Sequence, residues 1–202
     1  MTAIEKRECQ KESAKRHFAN HIATYSTENN IAILDWRKKS GSSAYYVRYV
    51  LDTEHCCLYI TGDLGYAVVR LTERATLSAL AGYINTVDYF VEKIQCSTDK
   101  YQYDEAVAKT ELREHLLQYK RQIYDTDMLT VGELINNTMH DFDCYNGFNL
   151  SAENDELLSA ICGNEYSEWL YNLGCYVCDR VILWLVGLNM AYEQLESELN
   201  NT

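Results

Sequence analysis

Apolar positions along this chain change their period twice, and the changes outline its elements. Ala14, Phe18, Ile22 and Tyr25 recur at helical spacing and predict a first helix over residues 2–25. Its other faces mix Lys6, Arg7, Lys11, Lys15 and Arg16 with Glu5, Glu8 and Glu12. After a polar break at residues 26–30 the pattern becomes β-like. Residues 31–36 read as a strand followed by a Ser40-Gly41-Ser42-Ser43 loop, and residues 45–51, 57–61 and 67–71 are three β-prone runs separated by polar residues 52–55 and by Gly62-Asp63-Leu64-Gly65. Such spacing predicts an antiparallel meander. A short helix over residues 76–84 and one more β-like run over residues 89–96 complete this part.

From Asp104 the period is helical. Leu112, Leu116, Tyr119 and Ile123 form one apolar face, and Glu105, Lys109 and Arg113 form an exposed ladder four residues apart. Thr130 and Glu133 have capping-box spacing before a helix that buries Leu134, Ile135, Met139 and Phe142. Ser151 caps the next helix, which buries Leu157, Leu158 and Ile161 and stops at Gly163. In the last helix Val181, Leu185, Leu188, Tyr192, Leu195 and Leu199 alternate four and three residues apart, the spacing of a heptad seam. Either a core helix or a homodimer through this C-terminal helix satisfies it. The chain has no proline, where average usage near 5% gives about ten in a chain of this length. With no proline or glycine-serine linker between the parts, the expected fold class is α+β. It is a small antiparallel β-meander with flanking helices and a helical C-terminal region, organised as one domain over residues 1–202 with a β-rich part at 1–103 and an acidic helical part at 104–202.

Charge sharpens that division. The 202 residues are 47% hydrophobic and 24% charged, which excludes wholesale disorder, and carry a net charge of -12. Residues 1–121 hold 17 Lys+Arg and 16 Asp+Glu, net +1, whereas residues 122–202 hold 14 acids and one base, Arg180, net -13. Residues 1–16 contain no apolar signal core, and the longest apolar run, residues 181–188, falls far short of the ~20 residues that cross a bilayer. No membrane partner is expected. The eight cysteines are accordingly expected to be free thiols in a reducing cytoplasm.

The acidic part supplies the candidate partner-binding residues: Asp125, Asp127, Glu133, Asp141, Asp143, Glu153, Asp155, Glu156, Glu165 and Glu168, with Tyr145 and Tyr166 as aromatic anchors. Carboxylates without nearby cations attract a basic surface over a Debye length of about 8–10 Å, and tyrosine adds contact area with a hydrogen-bonding tip. The plainer alternative is an acidic surface that serves solubility alone. Opposite in sign, Trp36-Arg37-Lys38-Lys39 with Arg7, Lys11 and Lys15 has the residue types of a phosphate contact, diluted by Glu5, Glu8 and Glu12. Cys175 and Cys178 have the spacing of half a zinc site that His140 and Cys144 would complete, but no second such pair exists, and packed reduced cysteines are the simpler expectation. Asp141 to Gly147 imitates a calcium loop with its glycine one place late. His17 and His21 lie one helical turn apart without a third ligand near them in sequence. Phosphate loops, nucleophile elbows, the zincin motif and dinucleotide glycines are missing, so neither a cofactor nor a catalytic residue is assigned.

Three motifs, Tyr45-Tyr46-Val47-Arg48-Tyr49, Leu58-Tyr59-Ile60-Thr61-Gly62-Asp63-Leu64-Gly65 and Tyr89-Phe90-Val91-Glu92-Lys93-Ile94-Gln95-Cys96, resemble a family of proteins encoded by phages and prophages of Firmicutes. The resemblance covers residues 31–110. Some small phage proteins of this kind are anti-CRISPR proteins. What the resemblance implies is a non-catalytic inhibitor in the host-cell cytoplasm whose partner is a host CRISPR effector nuclease, free or guide-RNA-bound. The acidic helical surface would enter the basic channel in which such a nuclease holds its nucleic acids. Two other classes stay open: a small cytosolic phage enzyme acting on a nucleotide or nucleic acid, and a self-assembling structural protein.

Overall fold

The structure, a computed structural model, describes residues 2–97, 99–125 and 130–200. Helix α1 (Ala3–Phe18) leads into strands β1 (His21–Glu28), β2 (Ile31–Lys38), β3 (Val47–Asp52), β4 (Cys57–Gly62) and β5 (Ala67–Arg70). Helix α2 (Leu77–Ala81), a 3-10 turn at Gly82–Asn85 and helix α3 (Val87–Lys93) precede β6 (Ile94–Ser97). Then follow β7 (Tyr101–Tyr103), α4 (Glu105–Gln118), α5 (Lys120–Asp125), α6 (Val131–Met139), β8 (Phe142–Asp143) and β9 (Gly147–Phe148). The chain ends with α7 (Ala152–Cys162), α8 (Tyr166–Leu170), β10 (Cys175–Val177) and α9 (Asp179–Asn200). These elements form two compact units: Met1–Lys6 with Tyr101–Tyr176, and Arg7–Lys100 with Val177–Thr202. The last helix therefore groups with the sheet, whereas the sequence pattern places it with the acidic helices.

In the sheet unit β1 to β6 pair antiparallel in sequence order, the α+β meander that the alternation predicts. Ala32, Leu34 and Trp36 of β2, Val47, Tyr49 and Leu51 of β3, and Leu58 and Ile60 of β4 all turn to the buried face, two residues apart as strand geometry requires. Phe18 of α1, Phe90 and Val91 of α3, and Val181, Trp184, Leu185 and Leu188 of α9 pack with them in one core. Half of the predicted heptad seam is thus core, while its last member, Leu199, is 78% exposed. The buried Tyr49 hydroxyl donates to the Trp184 carbonyl at 2.7 Å, and it does so beside Gly187, where α9 leaves no room for a Cβ.

Two elements differ from expectation. Helix α1 stops at Phe18, and residues 21–28, expected to be helical up to Tyr25, form β1. Ile22, Thr24, Tyr25 and Thr27 are β-prone, and an eight-residue partner in β2 is available, in register from His21↔Lys38 to Glu28↔Ile31. Asn29 closes that hairpin at φ 53°, a left-handed conformation that Asn tolerates. The ladder outcompetes a local helical spacing that serves either period. On the sheet edge the Ala23 amide donates to Gln194 Oε1 of α9 at 3.2 Å, which covers one otherwise open edge group. Residues 89–96, read as a strand, are mostly helix α3 followed by β6, and buried Val87, Phe90, Val91 and Ile94 have helical spacing.

The helical unit has its own core, in which Leu112, Leu116, Leu134, Leu158, Ile161 and Leu170 meet. Its helix ends follow the sequence closely. Thr130 and Glu133 form the capping box, Ser151 accepts from the Asn154 amide, and α7 ends at Gly163 with φ 69°. Asp104 caps α4 through the Val107 amide and pairs with Lys6. Phe142, expected on the α6 helix, lies in the β8–β9 hairpin and packs edge-on against Phe148 at 5.1 Å between ring centroids.

Candidate docking surface and acidic groove

The two units divide the charge unevenly. The helical unit carries 15 acids and 5 bases, net -10, and the sheet unit 15 acids and 13 bases, net -2. The sequence-predicted carboxylates of the helical unit separate into two sets according to what their oxygens touch.

The first set is structural. Glu133 Oε2 accepts from the Thr130 amide and hydroxyl, both at 2.8 Å, and those bonds hold its carboxyl below the usual range. Burial works against the Asp141 carboxylate. Hydrogen bonds from Asn154 Nδ2 at 2.6 Å and from the Ser151 amide and hydroxyl at 2.9 Å outweigh it and keep the group ionised. Asp141 thereby ties the hairpin to the start of α7. Asp143 Oδ1 accepts from the Tyr145 and Asn146 amides at 2.8 and 2.9 Å and shapes the hairpin turn. Asp155 accepts from the Tyr166 hydroxyl, and that bond together with burial pushes the Tyr166 pKa to about 12. Tyr166 is only 6% exposed, so this predicted anchor is a core residue.

The second set faces solvent. Glu153 and Glu156 on α7, Glu165 at the start of α8 and Glu168 within it are exposed, and none has an ion-pair partner among the described residues. Tyr145, at the hairpin tip, is 88% exposed. Asp125 ends α5, and Asp127 lies outside the described residues.

Beside these acids is a groove of about 480 Å³ that the sequence did not announce. Thr2 and Ile4 at the start of α1, Glu111, Glu114 and His115 of α4, Glu168 and Trp169 of α8, and Asn172 and Leu173 after it contribute its walls. The His115 and Trp169 rings stack at 4.4 Å between centroids and 5° between planes. Glu111 is spent on architecture: Oε1 accepts from the Ala3 amide at 3.1 Å and Oε2 from the Gly174 amide at 2.9 Å. Gly174 has φ +75°, and a Cβ there would lie 2.7 Å from the Ala108 Cβ, so only glycine fits beside α4. Glu114 and Glu168 remain without a cation in reach among the described residues, and no Lys or Arg lines the groove.

The other sequence candidates are absorbed by the fold. Trp36 is buried, the Arg37 guanidinium lies 4.4 Å over the Tyr46 ring, and Lys38 lies 5.8 Å over Tyr45. Arg7 pairs with Asp88, Lys11 with Glu8 and Lys15 with Glu12, so this basic patch is already largely neutralised. His17 stacks on Tyr45, whereas His21, now on β1, is buried between Phe18 and Trp36. Burial raises the Cys162 thiol to about 11 and moves Cys175 and Cys178 in the same direction, which favours protonated thiols. The Cys178 thiol donates to the Asp99 carbonyl at 3.1 Å. Among the described residues no group of three or more His, Cys, Asp or Glu is placed to hold a metal ion, and no helix is long and apolar enough to cross a membrane. No protein-family model, curated protein or solved structure matches the chain.

Proposed function

We propose that this protein is a non-catalytic, phage-encoded inhibitor acting in the host cytoplasm. Its acidic helical unit docks on the basic nucleic-acid channel of an RNA-guided effector nuclease. The observation that supports this function is the concentration of charge, net -10, in one compact unit whose exposed Glu153, Glu156 and Glu165 have no ion-pair partner among the described residues. Such nucleases grip nucleic acid through backbone contacts in positively charged channels, and a rigid surface of carboxylates competes for the same cations. The structural carboxylates at Glu133, Asp141 and Asp155 hold helix ends and turns in place, so the outward acids are presented on a pre-ordered scaffold and docking loses little conformational entropy.

The test is the triple reversal Glu153→Lys, Glu156→Lys and Glu165→Lys, which leaves the structural carboxylates intact. Binding to a purified, guide-loaded effector, titrated across salt, is expected to weaken at least tenfold, about 1.4 kcal/mol, and to lose salt sensitivity. Unchanged affinity and an unchanged salt slope overturn the proposal.

A further inference from the structure

The groove between α4 and α8 has a chemistry more specific than the acidic surface around it. Its walls combine two uncommitted carboxylates, Glu114 and Glu168, with a stacked imidazole–indole pair, His115 and Trp169, and with apolar Ile4 and Leu173. We infer that this groove receives the guanidinium group of an arginine on a basic segment of a protein partner, with Glu114 and Glu168 as its charge partners and the His115–Trp169 stack as its planar wall. The inference rests on the docking function above and names the side chain that anchors it.

Each alternative occupant fails on a different contact. A phosphate or nucleic-acid strand meets two carboxylates and, among the described lining residues, no lysine or arginine. A neutral apolar side chain covers the rings but strips water from Glu114 and Glu168 without replacing it, an unfavourable exchange. A lysine ammonium satisfies the charge as a strongly hydrated point and has no plane to lay flat against the rings. Guanidinium is planar, weakly hydrated and forked: it lies on an aromatic face while its N–H groups reach two carboxylates. The groove is also held ready, because both Glu111 oxygens are engaged in binding Ala3 and Gly174 to the α4 wall. Its volume of about 480 Å³ accommodates the side chain together with neighbouring backbone.

The experiment is calorimetric titration of the full chain with three probes at an ionic strength of about 0.15 M. The probes are an acetylated, amidated four-arginine peptide, the four-lysine peptide of equal charge, and arginine amide. The arginine peptide is expected to bind about tenfold more tightly than the lysine peptide, the scale of one desolvated cation–π contact. The conservative double substitution Glu114→Gln and Glu168→Gln is expected to abolish that preference, and Trp169→Phe is expected to reduce it while preserving a ring. Circular dichroism of each variant checks that the fold persists. Equal affinity for the two peptides overturns the inference, as does a preference that survives the double substitution. Arginine amide binding as tightly as the peptide overturns the protein-segment occupant. If both peptides bind equally and the triple reversal on α7 and α8 weakens both, the groove assignment falls while the docking function stands. If neither peptide binds in a salt-dependent way, both fall.

Discussion

Gly187 and Tyr49 make a quantitative test of how α9 seats on the sheet. Gly187 is buried midway along α9, and a Cβ added there would lie 2.9 Å from the Tyr49 hydroxyl oxygen, 3.1 Å from Trp36 Cδ1 and 3.3 Å from Phe18 Cε2. Gly187→Ala therefore combines two opposed effects. Replacing glycine inside a helix is favourable by about 0.8–1.0 kcal/mol, while forcing a methyl into a filled core costs about 1–3 kcal/mol. The net expectation is a loss of up to ~2 kcal/mol. Tyr49→Phe removes the hydrogen bond to the Trp184 carbonyl and costs about 0.5–1.5 kcal/mol. It also removes the atom closest to the new methyl. In the double variant the shortest contact is gone, while the ring edges of Trp36 at 3.1 Å and Phe18 at 3.3 Å remain tight, so the clash is relieved in part. Urea unfolding of the four proteins should show the double variant less destabilised than the two single losses together, by about 1 kcal/mol. Additivity within about 0.3–0.5 kcal/mol would refute the close approach of α9 at this point.

Two further outcomes follow from buried polar groups. His21 is 6% exposed, and neither ring nitrogen has a partner within hydrogen-bonding geometry, although the Tyr45 and Ala44 backbone lies beside the ring. Burial, aided by Lys38, lowers its pKa in the folded state, so below the unfolded value of about 6.5 the unfolded chain binds the proton more readily. Stability is complete above that pH and falls as the pH drops through it toward the lower folded value. His21→Phe should flatten unfolding free energy between about pH 7 and pH 5, a window above the range in which the paired carboxylates titrate, and an unflattened profile rules His21 out as the cause. Asp141→Ala should cost about 1–3 kcal/mol in urea unfolding, because it removes the acceptor of the Ser151 amide and hydroxyl and leaves Asn154 Nδ2 with the Asn137 carbonyl alone. Glu156→Ala, an exposed acid without such bonds, should stay within about 0.5 kcal/mol of the parent in the same measurement, and equal losses for the two would erase the distinction between structural and outward acids.

Much of this protein is determined by its sequence through short-range rules. Strict alternation in β2, β3 and β4 specifies their buried faces, and Thr130 with Glu133, Ser151 and Gly163 mark helix ends, because caps and strand periodicity involve residues only a few positions apart. The crowding of acids without counter-charges after residue 121 is equally a property of the chain itself. Tertiary structure decides the rest. Ile22 and Tyr25 fit helix or strand locally, and the β2 ladder selects strand; Phe90 and Val91 look β-prone, and burial at helical spacing selects helix. The heptad seam of α9 reads as a dimer surface or a core until the sheet covers Val181, Leu185 and Leu188. Asp141 and Glu153 are both carboxylates of the same acidic stretch in the sequence, and only the donors that fold around Asp141 make one structural and leave the other outward. The groove needs the start of α1, part of α4, and Glu168 and Trp169 of α8 with the turn after it, segments separated by about 170 positions, and no local pattern encodes a meeting that the packing of whole helices brings about.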